Sequence, residues 1–175
     1  MIRNWPKSNV YCDLLKVAQT FDKGRVHVRT SNADGFFVKN GFAGEIMSTP
    51  QGRYEFIQCE KPCRKDAYFP SAPFLDAAIP FLDPVTQELT DASKVPKCTF
   101  CGRGLMLCVR SGSAFTEFPF REGEQRWKEF RRNVLSKTHG STVILELGVG
   151  MSTVGVLRWP NEDLVRRGEG RVKLI

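Results

Sequence analysis

The chain has 175 residues, of which 41% are hydrophobic, and its formal net charge is +7. This length and hydrophobic content fit one globular domain. No apolar run approaches the roughly 18 residues of a membrane helix and no apolar signal core follows the first residues, so we expect a soluble, cytoplasmic protein. Basic residues are scattered and interleaved with acidic ones, which argues against nucleic acid as a partner.

Two elements are predicted before residue 33. Apolar residues recur at helical spacing between Ser8, a candidate cap, and Gly24, which ends the helix. Residues 25–30 then alternate with period two, which is typical of a strand. The polar residues around Asn32 therefore lie at the carboxyl end of a strand.

The middle of the chain is different in composition. Residues 53–59 and Leu105–Arg110 each predict a short strand. Between them, residues 60–98 contain six of the ten prolines and show no sustained period. We interpret this proline-rich stretch as an irregular excursion from the main fold.

The last third returns to regular elements. Glu124–Lys137 predicts a helix, because its apolar residues share one side and Lys and Arg occupy the other. Residues 142–147 form a nearly continuous apolar run, typical of a strand covered on both faces, and a glycine-rich turn follows at 148–153. Strands that alternate with helices and end in such turns indicate an α/β fold with a parallel sheet.

Four of the six cysteines flank the proline-rich stretch, in Cys59-Glu-Lys-Pro-Cys63 and Cys98-Thr-Phe-Cys101. Two turns that each present two thiolates supply the four ligands of a tetrahedral zinc ion. The alternative is two unrelated buried pairs, but zinc would stabilise a segment that has little core of its own. We predict a structural Zn2+ held by Cys59, Cys63, Cys98 and Cys101. Cys12 and Cys108 lack ligand spacing and are interpreted as small core residues.

Several polar or glycine-rich turns follow predicted strands. Asn32, Asp34 and the turn at 148–153 would meet at the carboxyl ends of parallel strands, where the crevice for a dinucleotide forms. Taken singly, each is better explained by ordinary turn chemistry, in which Asn, Asp and Gly are common.

Together, these motifs resemble a known family. Over about residues 8–165, the chain carries in order the successive motifs of sirtuins: Thr30-Ser-Asn-Ala-Asp-Gly35, Lys39-Asn-Gly-Phe42, Gln51-Gly52, the two cysteine pairs and Gly148-Val-Gly-Met-Ser-Thr153. Gln51 stands where most sirtuins have histidine. This Gln, the three-residue gap in the first cysteine pair and residues 145–150 look most like the macrodomain-linked class M branch, whose members are regarded as protein ADP-ribosyltransferases.

The resemblance implies a fold and cofactors. The fold would be an incomplete Rossmann-like core, residues 1–54 and 111–175, with a small zinc-ribbon domain at residues 55–110. The cofactors would be NAD and Zn2+, and the substrate a protein. The residues that it implies for NAD binding are Thr30, Asn32, Asp34, Gly148, Gly150, Met151 and Ser152.

The resemblance also implies catalytic roles for Asn32, Gln51 and Arg110. Asn32 would orient the nicotinamide ribose or a water, while Gln51 and Arg110 would position the acceptor. In a deacylating sirtuin, the histidine at the position of Gln51 takes a proton from the ribose, and a carboxamide cannot act as that general base. His27 and His139 are interpreted as structural or surface residues.

The sequence departs from the sirtuin pattern at both ends. The Gly-Ala-Gly-x-Ser loop that holds the NAD pyrophosphate is not found, and residues 171–175 correspond only to the beginning of the next strand. Three explanations stay open: a misassigned gene start, a second chain that completes the fold, or a remnant that binds without catalysing. The unpaired sheet edge predicts dimerisation or poor solubility.

Four functions are therefore weighed from the sequence. The favoured one is an NAD-dependent protein ADP-ribosyltransferase of class M type, which a truncation would inactivate in isolation. The alternatives are a non-catalytic, zinc-stabilised protein-interaction module and a remnant of a protein deacylase. The weakest alternative is a zinc ribbon that binds nucleic acid, and it would need support from a binding affinity that falls steeply with salt.

Overall fold

The structure is a computed structural model that describes residues 4–175. The helices are α1 (Asn9–Gln19), α2 (Phe36–Lys39), α3 (Ser71–Ala78), α4 (Arg121–Ser136) and α5 (Arg158–Arg167). The strands are β1 (Val28–Arg29), β2 (Met47–Ser48), β3 (Gly52–Cys59), β4 (Tyr68–Pro70), β5 (Leu105–Val109), β6 (Thr142–Ile144) and β7 (Val172–Leu174). Within this described part of the chain, no helix combines the length and apolarity needed to cross a membrane.

The chain divides into two compact units. Unit 1 consists of the described residues up to Asn32, Phe36–Pro50 and Phe120–Ile175. Unit 2 consists of Ala33–Gly35 and Gln51–Pro119. In sequence, most of unit 2 is thus an insertion between β2 and α4.

Unit 1 contains two parallel strand pairs. β1 pairs with β2, with Val28 opposite Met47, and β6 pairs with β7, with Thr142 opposite Val172. Parallel strands connected through helices confirm the predicted α/β class. β1 is shorter than the predicted strand at 25–30, because its partner β2 is itself only two residues long.

Helices α4 and α5 cover one side of the β6–β7 pair. Buried Val134, Leu164 and Val172 form a cluster, against which Phe130 and Ile144 pack. The predicted helix at 124–137 is confirmed as α4, whose buried residues Gly123, Trp127 and Val134 share one face.

The other side of β6 is exposed, so the prediction of a strand covered on both faces is wrong for the described residues. Val143, Leu145 and Leu147 are 57%, 52% and 56% exposed. Alternate residues of an extended chain point the same way, and the helical cover lies on the side of Ile144. An apolar run therefore does not by itself imply two covered faces.

Unit 2 is built on the antiparallel sheet β4-β3-β5. Ile57 in the central strand β3 lies opposite Phe69 of β4 and Leu107 of β5. Both predicted strands of this unit are confirmed. The prediction that residues 60–98 are irregular is wrong in part, because this stretch forms β4 and α3; α3 accommodates its proline in the first turn, where no backbone N–H is needed.

Candidate functional site

The four cysteines predicted to bind zinc lie together in unit 2, and their Sγ atoms are all within 4.8 Å of one another. The Sγ atoms of Cys59 and Cys101 are 3.6 Å apart, and those of Cys63 and Cys98 are 3.8 Å apart. Four sulfurs at about 2.3 Å from a tetrahedral zinc ion would be about 3.8 Å apart. The donor set and its spacing therefore fit a structural Zn2+ with no open coordination position.

The second cysteine pair is shaped by a tight backbone turn. The Gly102 N–H donates to the Cys98 carbonyl over 2.8 Å, and the Cys98 N–H donates to the Arg103 carbonyl over 2.7 Å. Gly102 has φ +73°, a left-handed conformation that glycine adopts without steric cost. The turn thus holds both thiols of the pair on the same side as Cys59, whose side chain is fully buried.

The clustered thiols perturb one another. Desolvation and the neighbouring thiols of Cys101 and Cys98 raise the pKa of Cys63 to about 12. The backbone N–H of Arg103 lowers the pKa of Cys101 to about 7. One thiolate thus forms at the expense of the others, because negative charges so close together repel. A dication removes this conflict by stabilising all four thiolates.

The two remaining cysteines lie outside the cluster. Cys108 on β5 is fully buried, and burial raises the pKa of its thiol to about 12. Cys12 on α1 is half-buried, with its Sγ 3.9 Å from Oδ1 of Asn40. A buried neutral thiol is unreactive, so Cys108 packs as a core residue, as predicted.

The turn after β1 is organised by Thr30. This residue is 8% exposed, its N–H donates to the Ser48 carbonyl over 3.1 Å, and its Oγ1 accepts from the Asn32 N–H over 3.1 Å. The next residues belong to unit 2, where the Tyr54 N–H donates to the Ala33 carbonyl just before Asp34. Thr30 therefore fixes the backbone that presents Asn32.

Gln51 and Arg110 are adjacent at one end of the β3–β5 pair. The Arg110 N–H donates to the Gln51 carbonyl over 2.9 Å. Among the described residues, Oε1 of Gln51 is buried and has no hydrogen-bond partner. The Arg110 guanidinium lies 2.5 Å from a carboxylate oxygen of Glu117 and 4.6 Å from the centroid of the Phe115 ring. A carboxamide oxygen without a hydrogen-bond partner can accept a hydrogen bond from a hydroxyl group of a ligand.

The glycine-rich turn follows β6 in unit 1. Gly148 has φ +63°, and Met151–Thr153 form one turn of 3-10 helix in which Met151 is 81% exposed. Just before the turn, Glu146 has a side chain that is 7% exposed and accepts from Arg158 over 2.6 Å and from Asn161 over 2.9 Å. This buried carboxylate anchors the strand end from which the turn begins.

Sequence reasoning missed a polar network inside unit 1. Arg29 donates to Ser48 Oγ over 3.3 Å and to Glu124 Oε1 over 2.7 Å. Ser48 Oγ is also 3.0 Å from Nε2 of His27, whose pKa is lowered to about 4 by burial and by the charges of Arg29 and Arg126. The strand alternation around His27 signalled a structural role but gave no sign of these partners.

A second missed residue is Gln58 in unit 2, which is fully buried. Its Nε2 donates to the Ala114 carbonyl over 2.5 Å, and its Oε1 accepts from the Thr116 N–H over 3.0 Å. Gln58 thereby fixes the segment that follows Arg110 and supplies Glu117.

The predicted site residues are divided between the two units. Unit 1 holds Thr30, Asn32, Gly148, Gly150, Met151 and Ser152. Unit 2 holds Asp34, Gln51, Arg110 and the four cysteines.

No family model matches the chain. A Fusarium oxysporum f. sp. cubense protein named "Probable bifunctional ADP-ribose hydrolase/ADP-ribosyltransferase" is 51% identical over 175 residues, which are 100% of this chain and 29% of that protein.

Solved structures are similar over nearly the whole chain. Two structures concerning sirtuin substrate affinity align with 99% of the chain at 14% identity, with TM-scores of 0.60 and 0.57, and the alignment covers 58% and 61% of their chains. A mutant Sir2 homologue in complex with ADP-ribose aligns at 11% identity with a TM-score of 0.52, over 99% of this chain and 56% of that one. The chain spans less than two thirds of the length of each of these proteins.

Proposed function

We propose that this chain, which has the sirtuin fold, carries the ADP-ribosyl-transfer function of a class M type protein. In this function, NAD is the donor and a protein side chain is the acceptor. The proposal is supported above all by the 51% identical relative, whose name includes ADP-ribosyltransferase. Because the aligned region is 29% of that protein, its hydrolase function is not assigned to this chain.

The residue at position 51 favours transfer over deacylation. Deacylation by a sirtuin requires a base that takes a proton from a ribose hydroxyl, and a carboxamide does not accept a proton near neutral pH. The buried Oε1 of Gln51, which lacks a partner among the described residues, can instead accept a hydrogen bond from a ribose hydroxyl or from the acceptor. Gln51 is thus suited to hold a reactant in place.

Transfer needs fewer proton movements than deacylation does. The bond between the ribose C1 and the nicotinamide nitrogen breaks, and nicotinamide leaves with the bonding electrons. A nucleophilic side chain of the acceptor then forms a bond to C1, and a nucleophile that carries a proton releases it to solvent. In this proposal Asn32 orients the nicotinamide ribose, and Arg110 attracts an anionic group through its planar fork.

Binding of NAD is assigned to turns that expose backbone donors. Thr30, Asn32 and Asp34 would face the ribose, while Gly148, Gly150, Met151 and Ser152 would approach the nucleotide closely, since glycine permits this. Zn2+ would be held by the four-cysteine cluster and would supply folding energy to unit 2 without entering the reaction.

The proposal is tested with labelled NAD and a mixture of candidate acceptor proteins. Both this chain and a longer protein that contains it are assayed for label transfer and for nicotinamide release. We expect transfer that Asn32→Ala abolishes, whereas Asn133→Ala, at an exposed site on α4, leaves it unchanged. Absence of both transfer and nicotinamide release from the longer protein would refute the function.

A second comparison separates the two enzymatic alternatives. Wild-type protein and Gln51→His are assayed with NAD and an acyl-lysine peptide. We expect no deacylation by the wild type, because its position 51 has no base. Efficient deacylation by the wild type would instead favour the deacylase.

A further inference from the structure

The side chain of Arg29 joins three segments of unit 1. Arg29 is the last residue of β1, and its side chain is 13% exposed. Its Nε donates to the Val156 carbonyl over 3.2 Å, and its Nη1 donates to Ser48 Oγ over 3.3 Å and to Glu124 Oε1 over 2.7 Å. The guanidinium also lies 5.3 Å from the centroid of the Trp127 ring.

Each joined segment leads into residues of the proposed site. Arg29 directly precedes Thr30 and lies three residues before Asn32, and Ser48 lies three residues before Gln51. Val156 donates its N–H to the Thr153 carbonyl, so it is tied to the short helix that begins at Met151. Within unit 1, one planar cation therefore links the Asn32 turn to the segment that follows the Met151–Thr153 helix, and donor binding is assigned to both.

The backbone alone holds these segments weakly. β1 and β2 are two residues each, and the Thr30 N–H adds one further bond to the Ser48 carbonyl. A planar guanidinium has its N–H donors in a fixed geometry, so it can fix the distances between segments that so few backbone hydrogen bonds constrain only weakly. Glu124 lies in the first turn of α4, where the helix dipole favours its negative charge and thus its pairing with Arg29.

We infer that Arg29, held by Glu124, is a positioning residue for ADP-ribosyl transfer, an inference that rests on the proposed function. Arg29 acts through the backbone of the Asn32 turn and of the Met151–Thr153 helix and does not touch the reacting atoms. Without the hydrogen bonds of the Arg29 guanidinium, these turns can move relative to one another. The step most sensitive to such movement is cleavage of the nicotinamide bond, since a shift of about 1 Å can lower a rate about 100-fold.

The test uses Arg29→Lys and Glu124→Gln, singly and together, in the longest active form of the protein. Lysine keeps the charge but cannot reach three acceptors in one plane. Arg166→Lys, at an exposed residue of α5, is the matched control. We expect each single change to lower kcat for nicotinamide release about 10- to 100-fold with a much smaller change in KM for NAD. The double variant should be no worse than the poorer single one.

A readout without activity separates this inference from the proposed function. Backbone amide NMR signals of Asn32 and Met151 should both shift in Arg29→Lys and stay fixed in Arg166→Lys. Unmoved signals, additive losses in the double variant, or an unchanged kcat would overturn the positioning role. If the wild type transfers nothing, the proposed function fails, and the amide signals alone still decide whether Arg29 sets these turns.

Discussion

Gly52 is the position where a single methyl group should be most harmful. Its φ is +88°, and a Cβ at this residue would lie 2.1 Å from the Cys108 carbonyl oxygen and 2.9 Å from Cα of Val109. Both are backbone atoms of β5, to which Gly52 is paired, so neither can rotate away. Gly52→Ala therefore forces β3 and β5 apart next to Gln51 and Arg110.

The cost has two separable parts. A left-handed φ costs a non-glycine residue roughly 1–2 kcal/mol, and displacing a packed neighbour costs roughly 1–3 kcal/mol. Gly52→Ala should thus lower the free energy of unfolding by about 2–5 kcal/mol. Gly102→Ala in the same unit is the matched control, because its φ is +73° and an added Cβ meets nothing within 4 Å.

Denaturant unfolding of the zinc-loaded protein measures both variants. We expect Gly102→Ala to lose only about 1–2 kcal/mol, so the difference between the variants isolates the steric part. Equal losses would refute the reasoning that β5 blocks the side chain. A stable Gly52→Ala variant with normal transfer activity would also show that the spacing of Gln51 and Arg110 is unimportant.

Two further predictions concern pH and metal. The pKa of His27 is about 4 in the folded protein, below its ordinary value, so the neutral imidazole is favoured by folding. Its contribution to the free energy of unfolding, about 1–3 kcal/mol, is complete above pH about 6.5 and is lost as the pH falls toward 4. Urea unfolding between pH 4.5 and 7.5 should show a smaller dependence of this free energy on pH in His27→Gln than in the wild type, and an equal dependence in both proteins would contradict the prediction. Metal analysis should find one Zn2+ per chain, and a chelator should lower the midpoint of unfolding. Cys59→Ser should lose the ion, whereas Cys12→Ser should retain it. A wild-type protein that contains no metal and whose midpoint does not change with chelator would exclude the site.

Local patterns were sufficient for the metal cluster and the main helix. Thiolate chemistry restricts four paired cysteines to few arrangements, and the predicted set is the one whose sulfur atoms meet. The periodicity of α4 likewise depends only on neighbouring residues along one helix. Such features are encoded within short stretches, so one sequence reveals them.

Long-range polar contacts could not be predicted in this way. Arg29 meets Ser48 and Glu124 across 19 and 95 residues of sequence, and an arginine at a strand end is ordinarily exposed. Gln58 gave no signal either, because glutamine is usually a surface residue. The apolar run at 142–147 was misleading, since apolar composition shows that a side chain favours burial and does not show what covers it.

The segment that carries the zinc cluster begins and ends in paired strands, because the start of β3 pairs with the end of β5. Gly52 lies opposite Val109, and the next residues outward, Gln51 and Arg110, are joined by a backbone hydrogen bond. A different segment between β3 and β5 would keep Gln51 and Arg110 adjacent as long as these two strands stay paired. The register of Gln51 and Arg110 is therefore set by the ends of the two strands and not by the length of the loops between them.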